Sequence, residues 1–148
     1  ARPLVLTPHD GEYFRLPGRS PGPDRLADAR SLAADTGTVI LLKGPTTVVA
    51  APDGRVLLTA AGDARLATAG TGDVLAGIIG AFLARGVGPL EAAAAAAHVH
   101  GRLATAPGLK ELPPTGVVAG DLSERLVSVL ADLSFNGIDQ ADQTRGVC

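Results

Sequence analysis

The segment Thr68-Ala69-Gly70-Thr71-Gly72-Asp73 places two glycines, a hydroxyl and a carboxylate directly before an apolar run that begins at Val74. Gly70 and Gly72 permit backbone conformations closed to other residues and let a ligand approach the main chain. Where such a turn opens a helix, the first N–H groups have no intrahelical partner and the helix dipole favours an anion. Phosphate is the natural guest, and the same groups would stabilise charge that develops during phosphoryl transfer. Asp73, at that helix end, is the candidate general base, able to take a proton from a substrate hydroxyl as its oxygen attacks. The residues alone admit a plainer role equally well: Thr71 or Asp73 caps the helix and the glycines serve packing.

Two further segments carry suitable groups. Leu42-Lys43-Gly44-Pro45-Thr46-Thr47 follows a strand-like run, where α/β sheets place ligand-binding loops. Lys43 offers phosphate a point charge and Gly44 a close backbone approach, although a solvated lysine before a proline turn would read the same way. Thr7-Pro8-His9-Asp10-Gly11-Glu12 follows the first strand in the equivalent position and contributes an imidazole and two carboxylates. No metal site is assigned. Asp10 and Glu12 lack a second ligand cluster, and His98 and His100, two apart on a helix, face different directions and read as structural or partly exposed.

The elements that must position these groups follow from periodicity and punctuation. Leu4 to Thr7 is a short buried strand ended by Pro8, followed by a polar turn over Thr7 to Glu12. Leu16 to Pro23, rich in Pro and Gly, is loop. Asp24 to Thr36 spaces Leu26, Ala29, Leu32 and Ala33 as a helix does, with Asp24 as cap and Gly37 past the end. Thr38 to Lys43 is a strand covered on both faces, and Thr47–Ala51 and Arg55–Thr59 form a hairpin around Pro52-Asp53-Gly54. After a loop over Ala60 to Gly72, Val74 to Arg85 is apolar around most of its surface and predicts a buried helix. Leu90 to Ala104 predicts an alanine-rich helix with close packing, and Pro107 to Thr115 a loop. Leu122 to Leu133 predicts a final amphipathic helix capped by Asp121, and residues 134–148 a mobile tail. Strand, helix, strand, hairpin and three helices define an α/β layered architecture whose sheet is partly parallel. Two parallel strands and a hairpin leave much edge uncovered, so the 148 residues read as part of a larger sheet.

Composition excludes several function classes. Hydrophobic residues are 46% and charged residues 19%, which is globular rather than disordered. A net charge of −2, no adjacent Lys or Arg pair and 3% aromatics argue against nucleic-acid binding. Apolar stretches are broken before membrane-spanning length and no signal core opens the chain, so no membrane partner is expected. The single cysteine, Cys148, cannot form an internal disulfide, which fits a reducing, cytoplasmic setting.

Ala67 to Gly77, A-T-A-G-T-G-D-V-L-A-G, resembles the G-[ST]-G-D segment of the ribokinase-like superfamily. It is most similar to the NAD(P)H-hydrate dehydratase branch, which continues much as Ile78 to Gly86 does here. The resemblance covers nearly all of Leu4 to Leu133 and implies the carboxy-terminal half of a ribokinase-like, three-layer α/β/α domain. It implies that Lys43, Gly44, Pro45, Thr46 and Thr47 touch an adenine nucleotide with Gly70, Thr71 and Gly72. It also implies that His9, with Glu12 and Asp73, meets hydrated NADH or NADPH. The activity implied is ADP-dependent (or ATP-dependent) dehydration by phosphorylation of the hydrate hydroxyl and loss of phosphate, with Mg²⁺ accompanying the nucleotide and a homo-oligomer at full length. Rival readings are another ribokinase-like kinase acting on a hydroxyethylthiazole or hydroxymethylpyrimidine alcohol, and an inert nucleotide-binding fragment. Two departures stand out: Asp10 replaces the more usual proline of T-P-H-P-G-E, and Gly62-Asp63-Ala64-Arg65 stands where the family commonly shows G-N-P.

Overall fold

The computed structural model describes residues 4–143, with side chains as far as Ser134. Four strands form one sheet in chain order: β1 (Val5–Leu6), β2 (Val39–Leu42), β3 (Thr47–Ala50) and β4 (Val56–Thr59). β1 runs parallel to β2, with Val5 beside Val39, whereas β2–β3 and β3–β4 are antiparallel. The parallel pair requires a crossover, which α2 (Arg25–Thr36) supplies after the one-turn helix α1 (Asp10–Tyr13). Asp24 Oδ1 accepts the Ala27 N–H at 2.9 Å to start α2, and Gly37 closes it in the left-handed conformation at φ 64°.

Alternation along the strands divides the core into two layers. Ile40, Leu42, Val48 and Ala50 pack with Tyr13, Ala29, Leu32 and Ala33 on the α2 side. Val39, Leu41 and Val49 face the opposite side, against α3 (Thr71–Ala84) and α4 (Pro89–Ala104). All four β2 side chains are buried, as a strand covered on both faces requires. In α4, Ala92, Ala93 and Ala96 are fully buried, and their small size lets α3 and the sheet approach closely.

The structure corrects several sequence expectations. The Thr7–Glu12 turn closes into α1. α3 begins at Thr71 rather than Val74, and it is not buried all round: Asp73, Ala76, Gly77, Gly80, Ala81 and Ala84 are exposed. Glycine and alanine carry little apolar area, so that face gains little from burial. A turn of 3-10 helix (Ala64–Ala67) interrupts the loop before α3. The last predicted helix divides into α5 (Ala119–Glu124) and α6 (Leu126–Gln143). Asp121 is therefore not the cap residue but lies inside the first turn of α5, its Oδ2 accepting the Val118 N–H at 2.9 Å. Of the expected tail, residues 144–148 and the side chains beyond Ser134 lie outside the described residues.

Candidate active site

The loops after β1 and β2 and the turn before α3 meet around an open cleft of about 1290 Å³. Every candidate residue read from the sequence lines it except Thr46, which stands exposed beyond its rim.

The loop after β1 is built by its own polar groups. His9 caps α1, its Nδ1 accepting the N–H groups of Gly11 at 3.0 Å and Glu12 at 3.2 Å. Glu12 Oε2 returns to the His9 N–H at 2.9 Å and completes a capping box. With Nδ1 occupied as acceptor, a neutral imidazole carries its proton on Nε2. Nε2 is then the donor side of the ring, 3.6 Å from Glu12 Oε1, and Nδ1 is taken up by the cap.

The loop after β2 leans on the first. Lys43 donates its backbone N–H to Pro8 O at 2.9 Å, and its Nζ lies 3.3 Å from Glu12 Oε2. The Glu12 carboxyl is held below the usual carboxylate range chiefly by the His9 N–H; partial burial opposes this and Lys43 reinforces it. A Cβ placed on Gly72 would lie 3.5 Å from Lys43 Nζ, so the ammonium sits between the His9 loop and the α3 turn. A Cβ on Gly44 would lie 2.8 Å from the Arg25 guanidinium, which occupies the space beside this glycine. Thr47 opens β3 and pairs with Thr59, while Pro45 is exposed.

Gly70 adopts φ 86°, a left-handed conformation that favours glycine, and begins α3 without a side-chain cap. Thr71 turns inward. It is 3% exposed, its hydroxyl sits within hydrogen-bond reach of Leu66 O (2.6 Å) and Thr68 O (2.8 Å), and its N–H reaches Thr68 O at 3.3 Å. The Asp73 N–H is likewise engaged, by Gly70 O at 3.1 Å. Among the described residues no hydrogen bond takes up the N–H of Gly70 or Gly72, and none engages the exposed Asp73 carboxylate. The turn thus offers two free donors beside an unpaired carboxylate and within reach of a lysine, the arrangement phosphoryl transfer needs.

The departure at Gly62-Asp63-Ala64-Arg65 has a local explanation. Asp63 accepts the Arg65 N–H at 2.9 Å and pairs with the Arg65 guanidinium, which also donates to the carbonyls of Leu109, Lys110 and Leu112. One aspartate therefore caps the 3-10 turn and orients the arginine that ties it to the segment after α4.

His100 was missed as a cleft residue. It lines the cleft and is 7% exposed, whereas His98 is exposed. Burial pushes its pKa below the ordinary imidazole value; the Thr71 backbone, which the ring faces, pulls the other way and Lys43 adds to the lowering. Its Nε2 completes no hydrogen bond. The only sequence signal was its place next to Gly101 on an alanine face, and that face is apolar for packing reasons alone. Among the described residues no three His, Cys, Asp or Glu side chains cluster to hold a metal, and no helix is long and apolar enough to cross a membrane.

A family model described as NAD(P)H-hydrate dehydratase matches residues 1–127. The bifunctional NAD(P)H-hydrate repair enzyme Nnr of Mycobacterium leprae is 52% identical over 102 residues, which make up 69% of this chain and 22% of that protein. The ADP-dependent (S)-NAD(P)H-hydrate dehydratase of Neisseria meningitidis is 46% identical over 123 residues, 81% of this chain and 40% of that one. The Bacillus subtilis ADP/ATP-dependent NAD(P)H-hydrate dehydratase, co-crystallised with ATP and Mg²⁺, superposes with a TM-score of 0.81 at 38% identity, covering 88% of this chain and 48% of that one. A ribokinase-like superfamily protein of Enterococcus faecalis superposes with a TM-score of 0.70 at 30% identity, over 86% of this chain and 44% of that one. The chain spans half or less of the length of these relatives, and its α/β fold is the ribokinase-like one. With the family model matched from residue 1 to residue 127, the chain belongs to the NAD(P)H-hydrate dehydratase family.

Proposed function

We propose that the cleft binds ADP or ATP together with hydrated NADH or NADPH and dehydrates the latter by phosphorylation and elimination. The observation that carries this reading is the meeting, in one cleft, of the His9–Glu12 loop, Lys43 and the Gly70–Asp73 turn with its two unengaged N–H groups. Asp73 takes the proton of the hydrate hydroxyl while that oxygen bonds to the terminal phosphorus of the nucleotide, and the bridging P–O bond breaks to release AMP from ADP. The Gly70 and Gly72 N–H groups and Lys43 offset the charge on the transferring phosphoryl group. In the second step the ring C–O bond breaks, phosphate leaves, and a proton lost from the neighbouring ring carbon restores the dihydronicotinamide. His9, as a donor at Nε2, holds a polar group of the nicotinamide half, and Glu12 fixes His9.

Lys43 to Thr47 cradle the adenine nucleotide in this reading, and Thr71 shapes the turn from within. Mg²⁺ would travel with the phosphates and supply charge neutralisation, since it takes few protein ligands beside phosphate and water. A cytoplasmic location and a homo-oligomer at full length accompany the proposal.

The test uses a protein that carries this domain at full length. Hydrated NADH and NADPH, each with ADP or ATP, are compared with hydroxyethylthiazole and hydroxymethylpyrimidine alcohols. Restored absorbance of the reduced nicotinamide with release of phosphate is expected. Turnover of the alcohols alone would replace the proposal with a kinase assignment, and nucleotide binding without turnover of any of them would reduce the domain to a binding module.

A further inference from the structure

Arg25 is the first residue of α2, outside the cleft lining, yet its guanidinium reaches both loops that build the cleft's floor. Its two terminal nitrogens divide the work: one donates to Asp10 Oδ1 at 2.8 Å, and the other to the carbonyl oxygen of Lys43 at 2.6 Å. The fork also occupies the space above Gly44, where a Cβ would lie 2.8 Å from the second nitrogen, 3.2 Å from Cζ and 3.3 Å from Nε. Nε itself is buried and has no partner, so the group is held by its two ends. Asp10 lies two residues before Glu12, and Lys43 is the residue whose ammonium meets Glu12. The loops are therefore joined three times: by the Lys43 N–H to Pro8 O, by the Glu12–Lys43 ion pair on the cleft side, and by Arg25, which bonds to one residue of each loop.

We infer that Arg25 is a positioning residue that fixes the His9 loop and the Lys43–Gly44 turn as one unit, so that the groups for the two substrates are set together. The bond to the Lys43 carbonyl matters more, because it is partly buried. The pair with Asp10 is solvent-exposed, and such pairs add little alone. Asp10 nonetheless gives this chain a link that the family's usual proline has no side chain to make. Lysine cannot substitute for Arg25, since a flexible ammonium lacks the planar fork that spans two acceptors.

The inference rests on the proposed function only for its consequence in binding, and the experiment separates the two. Hydrogen exchange is followed in the ligand-free chain for segments 9–13 and 43–47, in the unaltered protein, Arg25→Lys and Asp10→Asn. Arg25→Lys should speed exchange in both segments by about tenfold, the effect of losing one hydrogen bond to a charged group. β3 and α4 should stay as protected as before, which general destabilisation would not allow. Asp10→Asn should speed only the first segment. Acceleration in one segment or neither for Arg25→Lys, or acceleration throughout the chain, would overturn the inference. ADP titration of the same substitutions in a protein that carries this domain at full length provides the binding arm, with about tenfold weaker affinity expected for Arg25→Lys. If the unaltered full-length protein takes up no ADP, the nucleotide reading falls, while the exchange data still decide the role of Arg25.

Discussion

Gly101→Ala would test how tightly the floor of the cleft is packed, because two opposing effects of known size meet there. Gly101 is buried within α4, beside His100. A Cβ at this position would lie 2.4 Å from both the carbonyl carbon and oxygen of Ala61 and 2.6 Å from its Cβ. Carbon atoms in contact sit about 3.5–4.0 Å apart, so the Ala61–Gly62 backbone must retreat by roughly 1 Å. Overpacking of this kind costs about 1–3 kcal/mol. Against it stands the helix propensity of alanine over glycine, about 0.8–1 kcal/mol. The obstacle is backbone rather than the end of a flexible side chain, and Gly62 is itself held at φ 100° with Leu66 and Gly101 around it. The steric term should therefore win, leaving a net loss of up to about 2 kcal/mol, or up to roughly 6 °C in melting temperature. Gly77→Ala on the exposed face of α3 is the matched control. Its Cβ would meet nothing within 4 Å, and it should gain up to about 1 kcal/mol. Thermal denaturation followed by circular dichroism reads both, and ADP titration should show weakened binding for Gly101→Ala alone. A Gly101→Ala protein that melts at or above the unaltered temperature would refute the packing argument.

Lys43→Met should weaken ADP binding by about ten- to a hundredfold, the range expected for losing a charge-assisted contact to phosphate. Unchanged affinity in calorimetry would confine Lys43 to pairing with Glu12. Asp28, buried beneath the loop before α2, accepts from Arg19 and from the Gly22 N–H, both at 2.6 Å, and Arg19 is the main reason its carboxyl is held below the ordinary range. A depressed folded pKa stabilises the chain above the unfolded value near about 4, and that contribution is lost as pH falls through the lower folded value. Asp28→Asn should thus melt below the unaltered chain at neutral pH, with the gap closing below about pH 4; a gap independent of pH would contradict the charge argument.

Much of the scaffold was legible because local chemistry and tertiary demand agree. The Asp24 cap, the Gly37 stop and the apolar spacing between them marked α2, and continuous burial of Val39 to Leu42 matched a strand covered on both faces. The order of two parallel strands and a hairpin was also readable, as was the glycine turn before α3. The misses have specific causes. Histidine is not a usual cap, so the Thr7–Glu12 segment gave no sign that His9 would close it into α1. α3 starts early because Gly70 supplies the left-handed entry without a capping side chain. Its open face escaped notice because a hydropathy pattern cannot say which side of an apolar helix has a neighbour. His100 and Arg25 owe their places in or behind the cleft to segments far apart in sequence: α4 brings His100 to the loops that line the cleft, and the Arg25 guanidinium bonds to Asp10 and Lys43. No local pattern encodes such contacts.

The central claim is that Asp73, standing unpaired beside the free Gly70 and Gly72 N–H groups, is the base for phosphoryl transfer to the hydrate. Asp73→Asn in the full-length protein tests it most directly, with kcat on hydrated NADPH and the Kd for ADP measured together. A general base acts on chemistry rather than on binding, so kcat should fall by about 10²–10⁴-fold while the Kd for ADP changes little. Near-normal kcat in the variant would remove Asp73 from the mechanism and contradict the account.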